Sequence, residues 1–397
     1  MLFGCGLPRL VFLKIATEHR YEILDGMRGI AAILVMIGHT SFYSGQLLLP
    51  NSYIAVDLFF ILSGFVLAYS YGDKGMSLGP FMARRFIRLY PMFLAGLTLG
   101  AIVLIIATRH GLSTLTTKAA IAGTVLNAFY VPFLNQGSYY DGSGLALQGE
   151  IFAANPPYWS LFFEVAVNLF FLNMVGLKQK ALTILSGLFL VLILVFAFFS
   201  GLISGKGGFN LEGGWNSLDL VGGFPRVFYG FCLGILLFKL SGKHWVVSAG
   251  NTLRRIPGSV FILLAVTALL FALPRLFSHT NAIYYLIAVG LVAPALVLLG
   301  SKLRCQNPVM LRTVQFLGWL SYPLYCVHYP IIRAVNLLQP KYPLSDISSI
   351  IVSCLLSVCA AAILTLVFDQ PLRNWLKRFL KKPSGTVPLS AAPTCGH

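Results

Sequence analysis

The stretch Leu24-Asp25-Gly26-Met27-Arg28-Gly29-Ile30-Ala31-Ala32-Ile33-Leu34-Val35-Met36-Ile37-Gly38-His39 decides how the chain folds. It is apolar on nearly every side, with Asp25 and Arg28 near one end and His39 at the other. A helix that is apolar all round is buried in a large core or in a bilayer, never laid on a protein surface. Runs of the same character lie near 26–44, 54–72, 86–108, 158–177, 181–203, 217–238, 257–274, 281–300, 313–333 and 347–368. Each has about the 20 residues that a spanning helix needs. An eleventh run, 119–134, is weaker, bracketed by Thr116, Thr117 and Lys118 on one side and Pro132 on the other, with Asn127 inside.

The composition agrees. Only 10% of the 397 residues are charged, 57% are hydrophobic, and the mean hydropathy is +0.81. Soluble domains carry about 25% charged residues. A disordered chain, a coiled coil and a secreted disulfide scaffold are excluded, which leaves an all-α polytopic membrane protein. Seven cysteines are an odd number, and Cys232, Cys326, Cys354 and Cys359 lie inside apolar segments, where they act as small hydrophobes. No spacing suggests a metal site. The net charge of +17 invites a nucleic-acid partner, but the basic residues sit in short clusters between apolar runs. That placement suits loops facing an anionic lipid surface, so no nucleic acid is expected.

The positive-inside rule sets the topology. With ten crossings, 119–134 as a short re-entrant or peripheral helix, and both termini cytoplasmic, most basic residues fall inside. Arg109, Lys118, Lys206, Arg226, Arg275, Arg333 and Lys341 are left outside or near outer helix ends. Residues 1–20 read as a cytoplasmic lead-in, 21–378 as the transmembrane domain and 379–397 as a disordered cytoplasmic tail. Residues 135–157 read as an external loop folding back over the bundle. No internal repeat is evident.

Ionisable groups within apolar helices carry the functional information, because each costs at least a few kcal/mol there (about 2.5–3.5 on insertion scales) and so faces the bundle interior or a wet cavity. Arg28 and His39 are eleven residues apart, hence on one helix face, about 16 Å apart along the axis. Histidine suits general-base work at neutral pH; its bland alternative is a hydrogen-bonded bridge between helices. Asp57 could orient His39 or pair with an arginine, and it does not share a helix face with Ser63. Arg85 and Arg88 form a fork suited to phosphate or carboxylate, although a basic cluster at a helix end also serves as a topology signal. Glu164 demands a partner. His328 alone is more often structural, and Tyr322 and Tyr325 could be aromatic packing. No P-loop, nucleophile elbow, HExxH or CxxC pair is present.

Taken in order, these segments resemble the membrane acyltransferase 3 family, bacterial proteins that O-acylate cell-surface and secreted glycans. The matching pieces are Leu24 to Gly29 with His39 closing an R-x10-H spacing, Asp57 to Phe65, and Arg85-Phe86-Ile87-Arg88-Leu89-Tyr90-Pro91. Trp159 to Glu164, Gly318 to His328 and Asp369-Gln370-Pro371 complete the series, although the family more often has Glu at the position of Asp369. The resemblance implies an acyl-CoA donor, with acetyl-CoA the commonest, on the cytoplasmic side of a plasma (inner) membrane. It also implies a glycan or other hydroxyl acceptor and no metal. Arg85 and Arg88 become expected contacts for the CoA phosphates, joined by Ser63, Tyr322 and His328. His39 becomes the leading catalytic residue, as general base or, in a variant, as a covalent acyl relay, with Arg28 to stabilise charge or hold the donor and Asp57 or Glu164 to orient the imidazole. One cavity is expected to hold both His39 and the arginines. The rival reading is a proton-coupled transporter of an anionic or acylated substrate, using the same buried groups as a relay.

Overall fold

Apolar runs in a bilayer become helices because every backbone N–H and C=O must find its partner within the segment. The computed structural model describes residues 21–43, 48–72, 74–140, 146–203, 208–272 and 282–380. The expected lead-in 1–20 and residues 381–397 of the expected tail 379–397 lie outside the described residues, while residues 379 and 380 are helical, not tail. The helices are α1 (Glu22–Tyr43), α2 (Ile54–Tyr71), α3 (Leu78–Arg109), α4 (Thr117–Ala128), α5 (Trp159–Val175), α6 (Gln179–Ile203) and α7 (Gly223–Ser241). They continue with α8 (His244–Arg254), α9 (Ser259–Ala272), α10 (Ala282–Ile287), α11 (Ala293–Gly300), α12 (Pro308–Leu338), α13 (Asp346–Leu364) and α14 (Gln370–Leu380). A small antiparallel hairpin, β1 (Ser138–Tyr140) with β2 (Ala146–Gln148), decorates the segment read from sequence as loop.

Among the described residues, eight helical stretches are long and apolar enough to cross a membrane, and α8 with α9, bent by 106°, would be a ninth. The ten expected crossings correspond to these together with α12, whose 31 residues are less apolar because several of its polar side chains serve the interior. Short π-helical turns join α10 to α11 and α13 to α14, so each pair forms one continuous rod. The last helix therefore runs past its expected end at 368 as an amphipathic extension. Outward residues such as Leu355, Ile363 and Val367 are 62%, 59% and 73% exposed, an apolar surface that only lipid can cover.

The weak eleventh run does not cross. The chain turns back beyond α3, and α4 packs along it until its last carbonyl, Ala128 O, accepts a hydrogen bond from Tyr90 at 3.2 Å. The chain then returns, Tyr130 stacking on Phe93 at 4.1 Å, until the Thr114 N–H donates to Ser138 O at 2.9 Å. The segment thus doubles back along α3 and returns. Asn127 holds it by donating to Val131 O and Ile151 O, at 3.0 and 2.9 Å, while Phe129 is left 74% exposed.

Helices α1 and α12 lie parallel and in near contact. A Cβ on Gly29 would sit 2.6 Å from the Leu317 carbonyl carbon, one on Gly26 would be 2.9 Å from Val314 Cγ1, and one on Gly318 would be 2.6 Å from Asp25 Cβ. Small residues at such a seam let two backbones approach, which is how helices associate without a hydrophobic driving force. The same register carried upward sets His39 beside His328 and Tyr43 beside Tyr329. The end holding the N-termini of α1, α3 and α12 is termed the near end here, and the opposite one the far end.

Replacing Gly29 by Leu should push α1 from α12 and lower the melting temperature in detergent. Overpacking of this kind costs about 1–3 kcal/mol. A melting temperature within 1 °C or so of the parent would show that the seam tolerates a side chain.

Candidate active site

Four clusters hold the ionisable groups that bear on the site. On α2, Asp57 is fully buried and is gripped by Arg226 of α7, whose Nε donates to Oδ1 at 3.0 Å and Nη2 to Oδ2 at 2.8 Å. The remaining Arg226 donors reach Gly213 O at 2.9 Å and Tyr53 O at 3.3 Å, and its guanidinium lies 5.1 Å over the Trp159 ring. Asp57 is thus bonded to an arginine and not to His39.

Toward the far end Arg333 of α12 donates through Nη2 to both oxygens of Glu150, at 2.9 and 2.7 Å, and through Nη1 to Ala153 O at 2.6 Å. Its Nε donates to the Tyr43 hydroxyl at 3.1 Å, and Tyr43 donates in turn to the Tyr329 hydroxyl at 3.0 Å. This ties the returning segment after α4 to α1 and α12 together.

The third cluster lies toward the near end. Arg85 forms an ion pair with Glu164 of α5, to which the Ser63 hydroxyl also donates at 3.3 Å. Arg28 lies 3.6 Å from Asp25 on its own helix, and Arg88 makes no ion pair among the described residues. Arg28, Arg85, Arg88, Ser63 and Glu164, with Tyr322, line a cavity of about 110 Å³. Tyr322 donates to Leu89 O at 2.5 Å and so fixes α12 against α3. Glu164 therefore faces the arginines and not His39.

The fourth cluster is a pair of imidazoles. His39 Nδ1 and His328 Nε2 are 2.9 Å apart, and His328 Nδ1 is 3.0 Å from Leu324 O. The Tyr329 ring stands edge-on to His39, centroids 5.2 Å apart. His39 lines a second cavity, of about 210 Å³, which runs toward the far end past Trp159, Trp215, Glu150 and Glu212. His328 is fully buried behind it and lines neither this cavity nor the arginine one, to which the sequence had provisionally assigned it.

The expected single cavity is thus two. They share two lining residues, Val56 and Tyr325, which form the wall between them. Tyr325 is held in that wall because its hydroxyl donates to Pro157 O at 2.8 Å and lies 2.6 Å from Ser160 Oγ. Local sequence explains why Pro157 is there. Pro330 has no N–H for the carbonyl four residues back, so Cys326 O is freed, and Asn155 and Tyr158 bond to it at 2.8 and 3.2 Å. Gly96 and Gly100 on α3 lack the side chains that would collide with Cys326 O and Ala154 O.

Sequence reasoning picked out His39, the arginine fork, Glu164 and Asp57. It missed Arg226 and Arg333, which it assigned to outer helix ends, and it missed Glu150 and the wall residue Val56. The signal was present: both arginines sit in apolar helices, where an ionisable group needs a partner.

The acyltransferase 3 family pattern, described as an acyltransferase domain, matches residues 21–366. "Protein 2 in picA locus" of Rhizobium radiobacter is 36% identical over 160 residues, covering 38% of this chain and 81% of the relative. "Acyltransferase MdmB" of Streptomyces mycarofaciens is 32% identical over 171 residues, covering 38% of each. No solved structure matches.

If Asp57 serves Arg226 alone, Asp57→Ala should destabilise the protein by about 3–5 kcal/mol, because it strands a buried guanidinium. Combining it with Arg226→Met should recover most of that loss in thermal unfolding. A double variant no more stable than the single one would mean that Asp57 has a further task.

Proposed function

The chain belongs to the membrane acyltransferase 3 family, and from that premise we propose that it moves an acyl group, typically acetyl, from acyl-CoA to a hydroxyl of a cell-surface or secreted glycan. As a member it is a multi-pass membrane acyltransferase, transferring groups other than aminoacyl groups. The observation that carries the finer reading is the pair of cavities strung along α1, cationic at Arg28 and imidazole-lined at His39, with one thin wall between them.

The near cavity suits the nucleotide end of the donor. Arg28, Arg85 and Arg88 outnumber the carboxylates beside them, Arg88 is unpaired among the described residues, and guanidinium is the fitting group for phosphate. The clusters Lys74, Arg84, Lys178, Lys180, Lys239, Lys243 and Arg312 flank helix ends on the same side, which supports a cytoplasmic near end and a plasma-membrane location. The far cavity offers aromatic faces from Trp159 and Trp215 with a few polar groups, a lining suited to a polyhydroxylated acceptor.

In the proposed reaction the acceptor O–H gives its proton to the bare ring nitrogen of His39, and the oxygen attacks the thioester carbonyl carbon. The tetrahedral adduct collapses, the C–S bond breaks, and the departing sulfur takes the proton back from the imidazolium. An ester and CoA thiol result, with no net proton change. Arg28 lies on the donor side, where its charge helps hold the CoA. Ser63 and Glu164 keep Arg85 aimed, and Asp57 acts through Arg226 on Trp159 in the lining of the far cavity.

Three outcomes test this reading. With labelled acetyl-CoA in detergent, His39→Ala should cut turnover by about 100-fold or more, the scale of a lost general base, with the protein still inserted and folded. Turnover near that of the parent would take His39 out of the reaction. Arg88→Gln should raise KM for acyl-CoA and leave kcat nearly unchanged, and an unchanged KM would remove the arginine from the donor site. Val56→Trp should thicken the wall and depress kcat without weakening CoA binding, whereas Val56→Gly should extend the accepted acyl length. Equal activity in both variants would mean that the acyl group takes another route.

A further inference from the structure

Two neutral imidazoles joined by one hydrogen bond can be arranged in two directions, and the backbone beside His328 selects between them. His328 Nδ1 is 3.0 Å from Leu324 O, one turn earlier on α12. A carbonyl oxygen only accepts, so this nitrogen carries the proton. The other nitrogen of a neutral His328, Nε2, is then bare, and it is the atom 2.9 Å from His39 Nδ1. That contact is a hydrogen bond only when His39 Nδ1 donates. His39 Nε2 keeps its lone pair.

Ring geometry agrees with this direction of bonding. The two planes differ by 6° with centroids 5.2 Å apart, a separation that equals the N···N gap plus the two ring radii. The rings are end to end in one plane, as an N–H···N bond requires, and not face to face. His39 borders the far cavity and His328, 0% exposed, stands behind it.

We infer that His328 is a positioning residue: bonded to Leu324 O on one side and His39 on the other, it holds His39 in the tautomer whose Nε2 is free to take a proton from the acceptor. The inference rests on the proposed reading of His39 as the base. The role resembles that of the third member of a hydrolase triad, which fixes the tautomer and orientation of its histidine without itself being protonated. A neutral imidazole replaces the usual carboxylate. Asp57, Glu150 and Glu164 are each bonded to an arginine, and the hydrogen bond His39 makes among the described side chains is to His328. When His39 becomes imidazolium at Nε2, its Nδ1–H stays on the His328 lone pair, so the added charge is partly shared in a place that water does not reach.

The test compares His328→Leu, His328→Gln and His39→Ala in the full chain in detergent. His328→Leu should lower kcat by about 100-fold, the value of a general base, with KM for acyl-CoA unchanged. His328→Gln should restore most of that loss, because its Oε1 can accept from His39 Nδ1–H. Nitrogen-15 spectra of histidine-labelled parent protein, with His39 identified as the signals lost in His39→Ala, should show Nδ1 protonated and Nε2 bare. Unimpaired kcat in His328→Leu, or a Gln variant as slow as Leu, would overturn the positioning role. A parent spectrum with the His39 proton on Nε2 would overturn the tautomer, whether or not the variants fold. Turnover surviving in His39→Ala would instead sink the reading of His39 as base, which separates the two failures.

Discussion

A charge left alone inside a hydrocarbon-like interior is so costly that partner choice governs this bundle. Asp57 takes Arg226, Glu150 takes Arg333, and Glu164 takes Arg85, each from a distant part of the chain. The pairs tie α2 to α7, the segment before α5 to α12, and α3 to α5. Buried ion pairs of this type add little net stability over well-packed apolar side chains, but breaking one by removing a partner is expensive. They therefore act as register pins. One consequence falls on the chemistry: each of these three carboxylates being claimed by an arginine, the hydrogen bonds of the two imidazoles among the described residues run to each other and to the α12 backbone.

The glycines and prolines of α3, α1 and α12 act on that same centre. Gly26, Gly29 and Gly318 bring α1 and α12 together so that His39 and His328 meet. Pro330 releases the carbonyl of Cys326, and the loop that accepts this invitation delivers Pro157 and Ser160 to the Tyr325 hydroxyl. A helix defect one turn beyond the wall thus sets the wall's stiffness. Substitutions at these small residues would act on the reaction without touching substrate.

Local patterns were readable because their cause is local. Ten apolar runs became helices, since backbone bonding in lipid is satisfied within each segment. The doubling back of the segment after α3 was legible from Asn127 and Pro132, which disfavour a full crossing. Helix α8 was not, being 11 residues long with an exposed Trp245 and a polar composition that gives no spanning signal. The π-turn that carries α13 into α14 was equally hidden, because Gln370-Pro371 reads as a stop. The identity of each partner was hidden for a different reason. Asp57 could be seen to need a cation, but Arg226 is 169 residues away, and only the packing of α2 on α7 identifies it. Arg28 and His39 were correctly placed on one face, yet a shared face does not imply a shared cavity, because Val56 and Tyr325 come from other helices.

That wall bears on the choice between group transfer and transport. A carrier must pass its whole substrate, so the barrier between its two vestibules has to open wide in alternation, and the helices that form it need freedom to rock. Here the two cavities meet at Val56 and Tyr325, the tyrosine is held by Pro157 and Ser160, and the flanking helices are pinned by three buried ion pairs. Such a frame resists rocking. The proposed acyl transfer asks much less of it, because in that reading the nucleotide would stay on one side, the acceptor on the other, and only a thioester carbonyl with a small acyl group would have to reach the plane between them. A rigid partition of two side chains is a poor gate for a carrier and a suitable meeting place for two substrates that never need to share a compartment.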